Sequence, residues 1–209
     1  MDYLENLKIL TYKSRQIILN MLGNRGYDTS NMINFSSNEI EIMFDNNNCD
    51  FELINYTNNN KLKVVYLYDI KKNPMTNPMK KQFFEKLNII LDTYDEAIFI
   101  LPQEDKDNIL QDICNDYYDR FNKFSQVFFI KKLIFDITTH IHVPKHEIMD
   151  KPSIDNMKLQ YNITNLSQLP IISRNDVVAK FIGVRKNDVV KISRVSETSG
   201  ITPVYRYCL

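Results

Sequence analysis

The chain has 209 residues, 44% hydrophobic and 25% charged, which is the composition of a soluble globular protein with room for one large domain or two small ones. Its 26 Lys/Arg are matched by 26 Asp/Glu, so net charge gives no pointer to nucleic acid. No apolar run approaches the roughly 20 residues of a membrane helix, so the chain is read as having no membrane span. The opening MDYLENLKIL has two acids and no basic region before an apolar stretch, and is not expected to be a signal peptide. Cys49, Cys114 and Cys208 lie far apart without a CxxC, which suits free thiols in a reducing compartment. From Pro144 onward ten Lys/Arg face six Asp/Glu, a modest basic excess over an acidic first part. The asparagine clusters at 46–48 and 58–60 read as tolerant polar loops.

Residues 3–22 read as a long amphipathic helix, with Leu4, Leu7, Tyr12, Ile18 and Leu22 near one face and Gly23 and Gly26 closing it. Strands are expected over 39–44, 50–56 and 61–68. The third alternates, placing Leu62, Val64, Tyr66 and Tyr68 on one side. Asn77-Pro78 opens a helix running to about residue 94, with Phe83, Phe84, Leu87 and Leu91 as its core face. A buried strand at 97–101, a helix at 105–118 and a strand at 127–130 follow. This order predicts a three-layer α/β domain with a mixed sheet, over residues 1–134. No internal repeat is visible.

The remainder, 135–209, reads as a smaller α+β domain. A strand is expected over 133–143, with Phe135, Ile137, Thr139, Ile141 and Val143 on one face and Pro144 ending the run. Pro152-Ser153 starts a short helix to Tyr161. Asn175 and Asp176 are N-cap candidates for a helix whose apolar residues are Val177, Val178, Phe181 and Ile182, with Gly183 at its C-cap. Asn187 suits a left-handed turn, 189–194 and 204–209 read as two hairpin strands, and SETSG (196–200) is the turn between them.

These last motifs carry a specific likeness. HVPKH (142–146), LPIISRNDVVAKFIG (169–183), VVKISR (189–194), SETSG and YRYC (205–208) follow one another in the order and spacing of one family. The chain resembles the fifth subunit shared by eukaryotic nuclear RNA polymerases, whose C-terminal assembly domain stands alone as a small polymerase subunit in archaea. The resemblance covers roughly 135–209, and extends more weakly to MLGNRGY (21–27), as in the two-domain eukaryotic form. Two positions depart from the pattern. Val177 stands where the family has proline, and Asn187 where it commonly has glycine; neither change is expected to break the fold.

The resemblance implies a non-catalytic subunit of a DNA-directed RNA polymerase, without a cofactor. Its C-terminal domain would be anchored to the largest subunit and lie near the small omega-like subunit. Its N-terminal domain would be a jaw of nuclease-like topology flanking downstream duplex DNA. The expected location is the nucleus of a cell, or the virion or infected cytoplasm for a version carried by a large DNA virus. His146, Leu169, Pro170, Asp176, Gly183, Ser196, Thr198 and Tyr205 fall in the matching motifs as structural residues. Leu169, Pro170, Val178, Phe181 and Ile182 are expected to be mostly internal. Arg174, Arg185, Arg194, Glu197 and Arg206 are the candidates for interface hydrogen bonds, since the guanidinium fork favours bidentate contacts. Where the family has a loop near DNA, this chain reads PQEDKD (102–107), whose carboxylates repel phosphate. Lys71, Lys72, Lys80 and Lys81 are the expected phosphate neighbours, although lysine pairs beside a helix are otherwise simply solvated.

Two other chemistries have partial support in the residues. On a strand His140 and His142 would share a face and, with His146, could reach one zinc ion, but no cysteine is near in sequence and polar-face or core roles account for these histidines better. Asp50 followed by Asp69-Ile70-Lys71 faintly resembles the carboxylate pattern of Mg²⁺-dependent nucleases. The pattern is short and degenerate, and a strand-ending Asp69 before a solvated Lys71-Lys72 loop accounts for it better. A stand-alone adaptor is the third reading. Four glycines so placed build no phosphate-binding loop.

Overall fold

A computed structural model describes residues 3–68, 77–102, 108–196 and 200–209. The chain forms two compact units, Met1–Phe135 and Asp136–Leu209. No helix among the described residues is long and apolar enough to cross a membrane.

The first unit runs α1 (Tyr3–Asn24), α2 (Ser37–Asp45), β1 (Phe51–Ile54), β2 (Lys61–Tyr66), α3 (Asn77–Thr93), β3 (Glu96–Leu101), α4 (Ile109–Phe121) and β4 (Phe124–Phe129). Its sheet order is β1-β2-β3-β4, with β1 antiparallel to β2 and the other two pairs parallel. Parallel neighbours need a crossover, and α3 and α4 supply them. Successive crossovers of one hand in one direction place both helices on the same face. Phe83, Leu87 and Leu91 of α3 and Leu110 and Cys114 of α4 accordingly share a core with Phe99 and Val127. β3 and β4 are buried along their whole length, so their sequences are mostly apolar, with Glu96, Ser125 and Gln126 as buried polar residues.

The opposite face meets α1, though not through the purely apolar stripe expected. Leu4 is exposed, while Thr11, Ser14 and Arg15 are buried beside Leu7, Ile18 and Leu22. The cause lies in the sheet. Tyr66 and Tyr68 bring hydroxyls into this layer, and Ser14 (3.3 Å) and Thr11 (2.9 Å) pair with them. Burial holds both phenols well above their ordinary pKa. The Arg15 guanidinium lies 4.3 Å from the Phe51 ring centroid and 5.3 Å from that of Phe35, and Nη1 donates to the Cys49 carbonyl at 3.0 Å.

The strand expected over 39–44 is instead α2. Ser36 and Glu39 form a capping box, in which Glu39 N–H donates to Ser36 Oγ (3.4 Å) and Ser36 N–H donates to Glu39 Oε2 (2.7 Å). The alternating Ile40, Ile42 and Phe44 imitate a strand, but Ile40 is buried and Ile42 exposed. The helix expected from 105 begins at Ile109, and residues 103–107 lie outside the described ones.

The second unit contains β5 (Lys145–Ile148), α5 (Lys151–Tyr161), β6 (Ile171–Ile172), α6 (Val177–Ile182), β7 (Val189–Ser196) and β8 (Gly200–Cys208). Its sheet order is β5-β7-β8-β6, antiparallel except for β6 beside β8. Both faces of this sheet are covered at its inner end. Ala179 of α6 packs with Val190, Ile192, Ile172 and Cys208 on one face; Met157 of α5 and Leu169 pack with Val189, Tyr205 and Tyr207 on the other. The strand expected over 133–143 does not form. Asp136 Oδ1 accepts the Thr138 N–H at 2.8 Å and starts a 3-10 turn at Ile137–Thr139, leaving Ile141 exposed. Such a local bond competes with extended backbone, and the strand begins only after Pro144. Neither β5 nor the two-residue β6 is expected from the sequence pattern.

Asparagine does much of the turning. The described non-glycine residues with positive φ are Asn47, Asn59, Asn108, Asn122, Asn162 and Asn187, all asparagines. Asn122 and Asn162 close α4 and α5 in the left-handed conformation usually given to glycine.

Val177, the first residue of α6, can be tested against proline. Asp176 at φ −58° and ψ 138° already has the extended geometry that a following proline demands. Proline at the first helical position gives up a donor that the helix does not use. Val177→Pro is therefore expected to raise unfolding stability by about 0.4–1 kcal/mol, read by thermal or urea denaturation.

Candidate assembly surface

The motif residues of the second unit are mostly spent on building it. Asp176 Oδ1 accepts the Val178 and Ala179 N–H groups, both at 3.0 Å, which starts α6. Gly183 ends it at φ +79°, and the Val184 N–H reaches back to the Ala179 carbonyl at 3.0 Å. Leu169 is buried, whereas Pro170, expected to be internal, has its ring exposed. What Pro170 contributes inward is its carbonyl, which accepts the Tyr207 N–H at 2.9 Å. Phe181 is buried, and Val178 and Ile182 are half-buried. His146 donates from Nδ1 to the Pro144 carbonyl at 2.6 Å, since a carbonyl can only accept. Tyr205 meets Tyr161 edge-on, with centroids 5.6 Å apart.

The candidate interface residues have distinct surroundings. Arg194 is exposed on the outer part of β7. Arg206 Nη1 donates to the Ile171 carbonyl at 3.2 Å, so this guanidinium helps tie β6 to β8. Arg185 donates its backbone N–H to Asp188 Oδ2 at 2.7 Å, and its side-chain charge acts on the same carboxylate. The Arg174 charge acts on Cys208, whose thiol burial nevertheless pushes its pKa up to about 11. Ser196 pairs with Gly200 at the hairpin end; Glu197 and Thr198 lie outside the described residues.

One feature of this surface is not expected from the sequence pattern. β7 and β8 pair without interruption from Val189↔Tyr207 to Ser196↔Gly200, but β5 reaches only to Ser193 and β6 only to Tyr207 and Cys208. Among the described residues, no further strand pairs with the outer part of the hairpin. Val195 and Ile201, directly opposite one another, are 87% and 72% exposed. Their shared parity about the turn is the signal that could have found them.

In the first unit Lys81 is exposed and Lys80 half-buried in the first part of α3, while Lys71 and Lys72 lie outside the described residues. His140 and His142 sit in an exposed turn with ring centroids 5.5 Å apart, and the His142 N–H donates to His140 Nδ1 at 3.2 Å. They are not on a strand, and no group of three His, Cys, Asp or Glu able to hold a metal occurs among the described residues. Asp69 and Lys71 lie outside the described residues. Asp50 Oδ1 accepts the Tyr66 N–H at 2.8 Å, a structural commitment, and burial raises its pKa above the ordinary carboxylate value.

Comparison with known proteins bears on the second unit. Residues 135–208 match the family model described as RNA polymerase Rpb5, C-terminal domain. DNA-directed RNA polymerase subunit Rpo5 of Methanocaldococcus jannaschii is 43% identical over 70 residues, which are 34% of this chain and 88% of that protein. Rpo5 of Methanosarcina barkeri is 43% identical over 72 residues, covering 91% of its length. Subunit rpabc1 of DNA-directed RNA polymerases I, II and III in Dictyostelium discoideum is 41% identical over 78 residues, only 39% of its length.

Asp50 offers a stability test. Its folded pKa is raised, so its contribution is full below the unfolded value near 3.8 and is lost as pH rises through the folded value. Asp50→Asn keeps an acceptor for the Tyr66 N–H and removes the buried charge. Its unfolding midpoint at pH 7 is expected to equal or exceed that of the unsubstituted chain. Asp50→Ala leaves the N–H unpaired and is expected to cost about 1–3 kcal/mol. From the matched domain and the near-complete coverage of the archaeal proteins, the chain belongs to the family of the shared fifth RNA polymerase subunit and its archaeal counterpart, Rpo5.

Proposed function

We propose that this protein is a non-catalytic subunit of a DNA-directed RNA polymerase, working in transcription inside the cell or virion that holds the enzyme. The second unit anchors it to the largest polymerase subunit, close to the small omega-like one. The first unit serves as a jaw of nuclease-like topology beside downstream DNA, with Lys80 and Lys81 as weak phosphate neighbours inside the complex. The observation that carries this reading is the coincidence of the matched residues, 135–208, with a separately packed unit, Asp136–Leu209. That unit has its own core on both faces of its sheet, and its outer hairpin extends past the neighbouring strands. A module built in this way can be gripped without being reorganised.

Recovering the tagged full chain from native extract and identifying its stoichiometric companions tests the reading, and polymerase subunits are the expected companions. Arg194→Glu reverses an exposed charge without touching the core. It is expected to leave the thermal unfolding midpoint unchanged and to weaken co-purification with the largest subunit; full recovery would remove Arg194 from the interface. Incubation with duplex DNA and Mg²⁺ is expected to leave the DNA intact. Cleavage that disappears in Asp50→Ala would replace this reading with a nuclease.

A further inference from the structure

Arg15, in the first unit, carries an inference that does not depend on the polymerase reading. Its side chain is 3% exposed, yet its donors are unevenly served. Nη1 donates to the Cys49 carbonyl at 3.0 Å. Nη2 faces only the Met32 thioether, at 3.7 Å, and Nε has no hydrogen-bond partner among the described residues. Nε–H and Nη2–H lie side by side on the planar guanidinium, and this fork is the edge that matches two oxygens of one anion. A thioether is a weak acceptor, and an unpaired donor on a buried charged group is costly. The groups whose charges act on Arg15 are Tyr66, Cys49 and Tyr68, none of them a carboxylate. Burial raises the pKa of all three, so they are uncharged at neutral pH. The guanidinium therefore stands as a single positive charge among neutral neighbours.

What covers the fork is a strap. The Asp28 N–H donates to the Ile54 carbonyl at 2.9 Å at one end, and Ser36 is fixed in the capping box of α2 at the other. Between these ends the backbone bond is local, from the Met32 N–H to the Thr29 carbonyl at 3.0 Å. Ser30, Asn31, Ile33 and Asn34 are exposed, while Met32 and Phe35 turn inward onto Arg15. The strap can lift between its two fixed ends without breaking the sheet or α1.

We infer that Arg15 is a carboxylate-binding group under this strap, and that Nε and Nη2 take the two oxygens of one carboxylate in place of the Met32 thioether. A monoanion is the matching class, because it cancels the one buried charge, whereas a phosphate dianion would leave a buried negative charge behind. The Cys49 carbonyl and the Phe51 ring already hold the guanidinium in position, so the fork is preorganised for its ligand.

The test titrates the isotope-labelled full chain with sodium acetate, against sodium chloride at equal ionic strength, and follows the Arg15 Nε–H resonance by NMR. Acetate is expected to shift it saturably, with a dissociation constant on the order of millimolar, and to raise the thermal midpoint; chloride is expected to do neither. Met32→Ala removes the thioether and is expected to tighten acetate binding about tenfold by favouring the open strap. Arg15→Lys keeps the charge without the fork and is expected to abolish the rise in midpoint with acetate. If that variant does not fold, the Arg15 resonance in the unsubstituted and Met32→Ala chains still decides. A blocked glutamyl peptide that binds at least as tightly as acetate assigns the carboxylate to a polypeptide; binding of acetate alone assigns it to a small free acid, and both support the site. No saturable shift in either chain overturns it and leaves Arg15 a structural cation. A stronger response to inorganic phosphate than to acetate overturns the carboxylate assignment, and weaker acetate binding in Met32→Ala overturns the strap.

Discussion

The pairing of β7 with β8 is the interaction on which the second unit depends. The other two strands and both helices of that unit are built on this ribbon. β5 lies on the outer edge of β7, β6 on the outer edge of β8, and a helix lies on each face. Shifting the register by one residue would exchange Val190 and Ile192 with Val189 and Lys191 between the two faces, bringing a lysine into the α6 core. The register is held at its closed end by backbone bonds between Cys208 and the Asn187-Asp188 turn, where Asn187 takes φ +73°. A unit with one central ribbon and a core on either side can lengthen that ribbon outward without disturbing either core. The outer hairpin end is such an extension.

The first unit is organised on a different principle. Its sheet has one apolar face, under α3 and α4, and one partly polar face, under α1. Arg15 is 3% exposed and lies between two phenylalanine rings, with burial lowering its pKa. Buried hydroxyls and a buried cation tolerate few alternative packings, because each must keep its partner. This gives α1 a specific seat on the sheet that a purely apolar interface would not require.

These arrangements explain why the candidate residues divide as they do. Asp176, His146 and Arg206 make internal hydrogen bonds, and their motif character follows from fold building. Arg194, Val195 and Ile201 lie where the ribbon has outrun its supports, and no core requirement accounts for two large aliphatic side chains facing water there. Asp50 shows the converse. A carboxylate with a raised pKa is the kind of group a catalytic site uses, yet its oxygen is occupied by the Tyr66 N–H and its shift comes from burial.

Local chemistry is legible wherever a single side chain decides the backbone. Asp176 and Gly183 bracketing α6, Asn187 in its turn and Pro152 at the start of α5 can all be read from the residues alone, because capping and left-handed geometry are settled within a few positions. The family likeness is legible too, since its motifs lie in one contiguous stretch. Where alternation is the only guide, local hydrogen bonds can override it. Residues 39–44 and 133–143 both alternate, but a capping box makes the first a helix and an Asx bond turns the second into a 3-10 segment. The sequence by itself determined the caps of α6, the Asn187 turn and the family likeness. Only the fold decided that Thr11, Ser14 and Arg15 are interior and that Val195 and Ile201 are not, because burial depends on what distant segments bring to the same place.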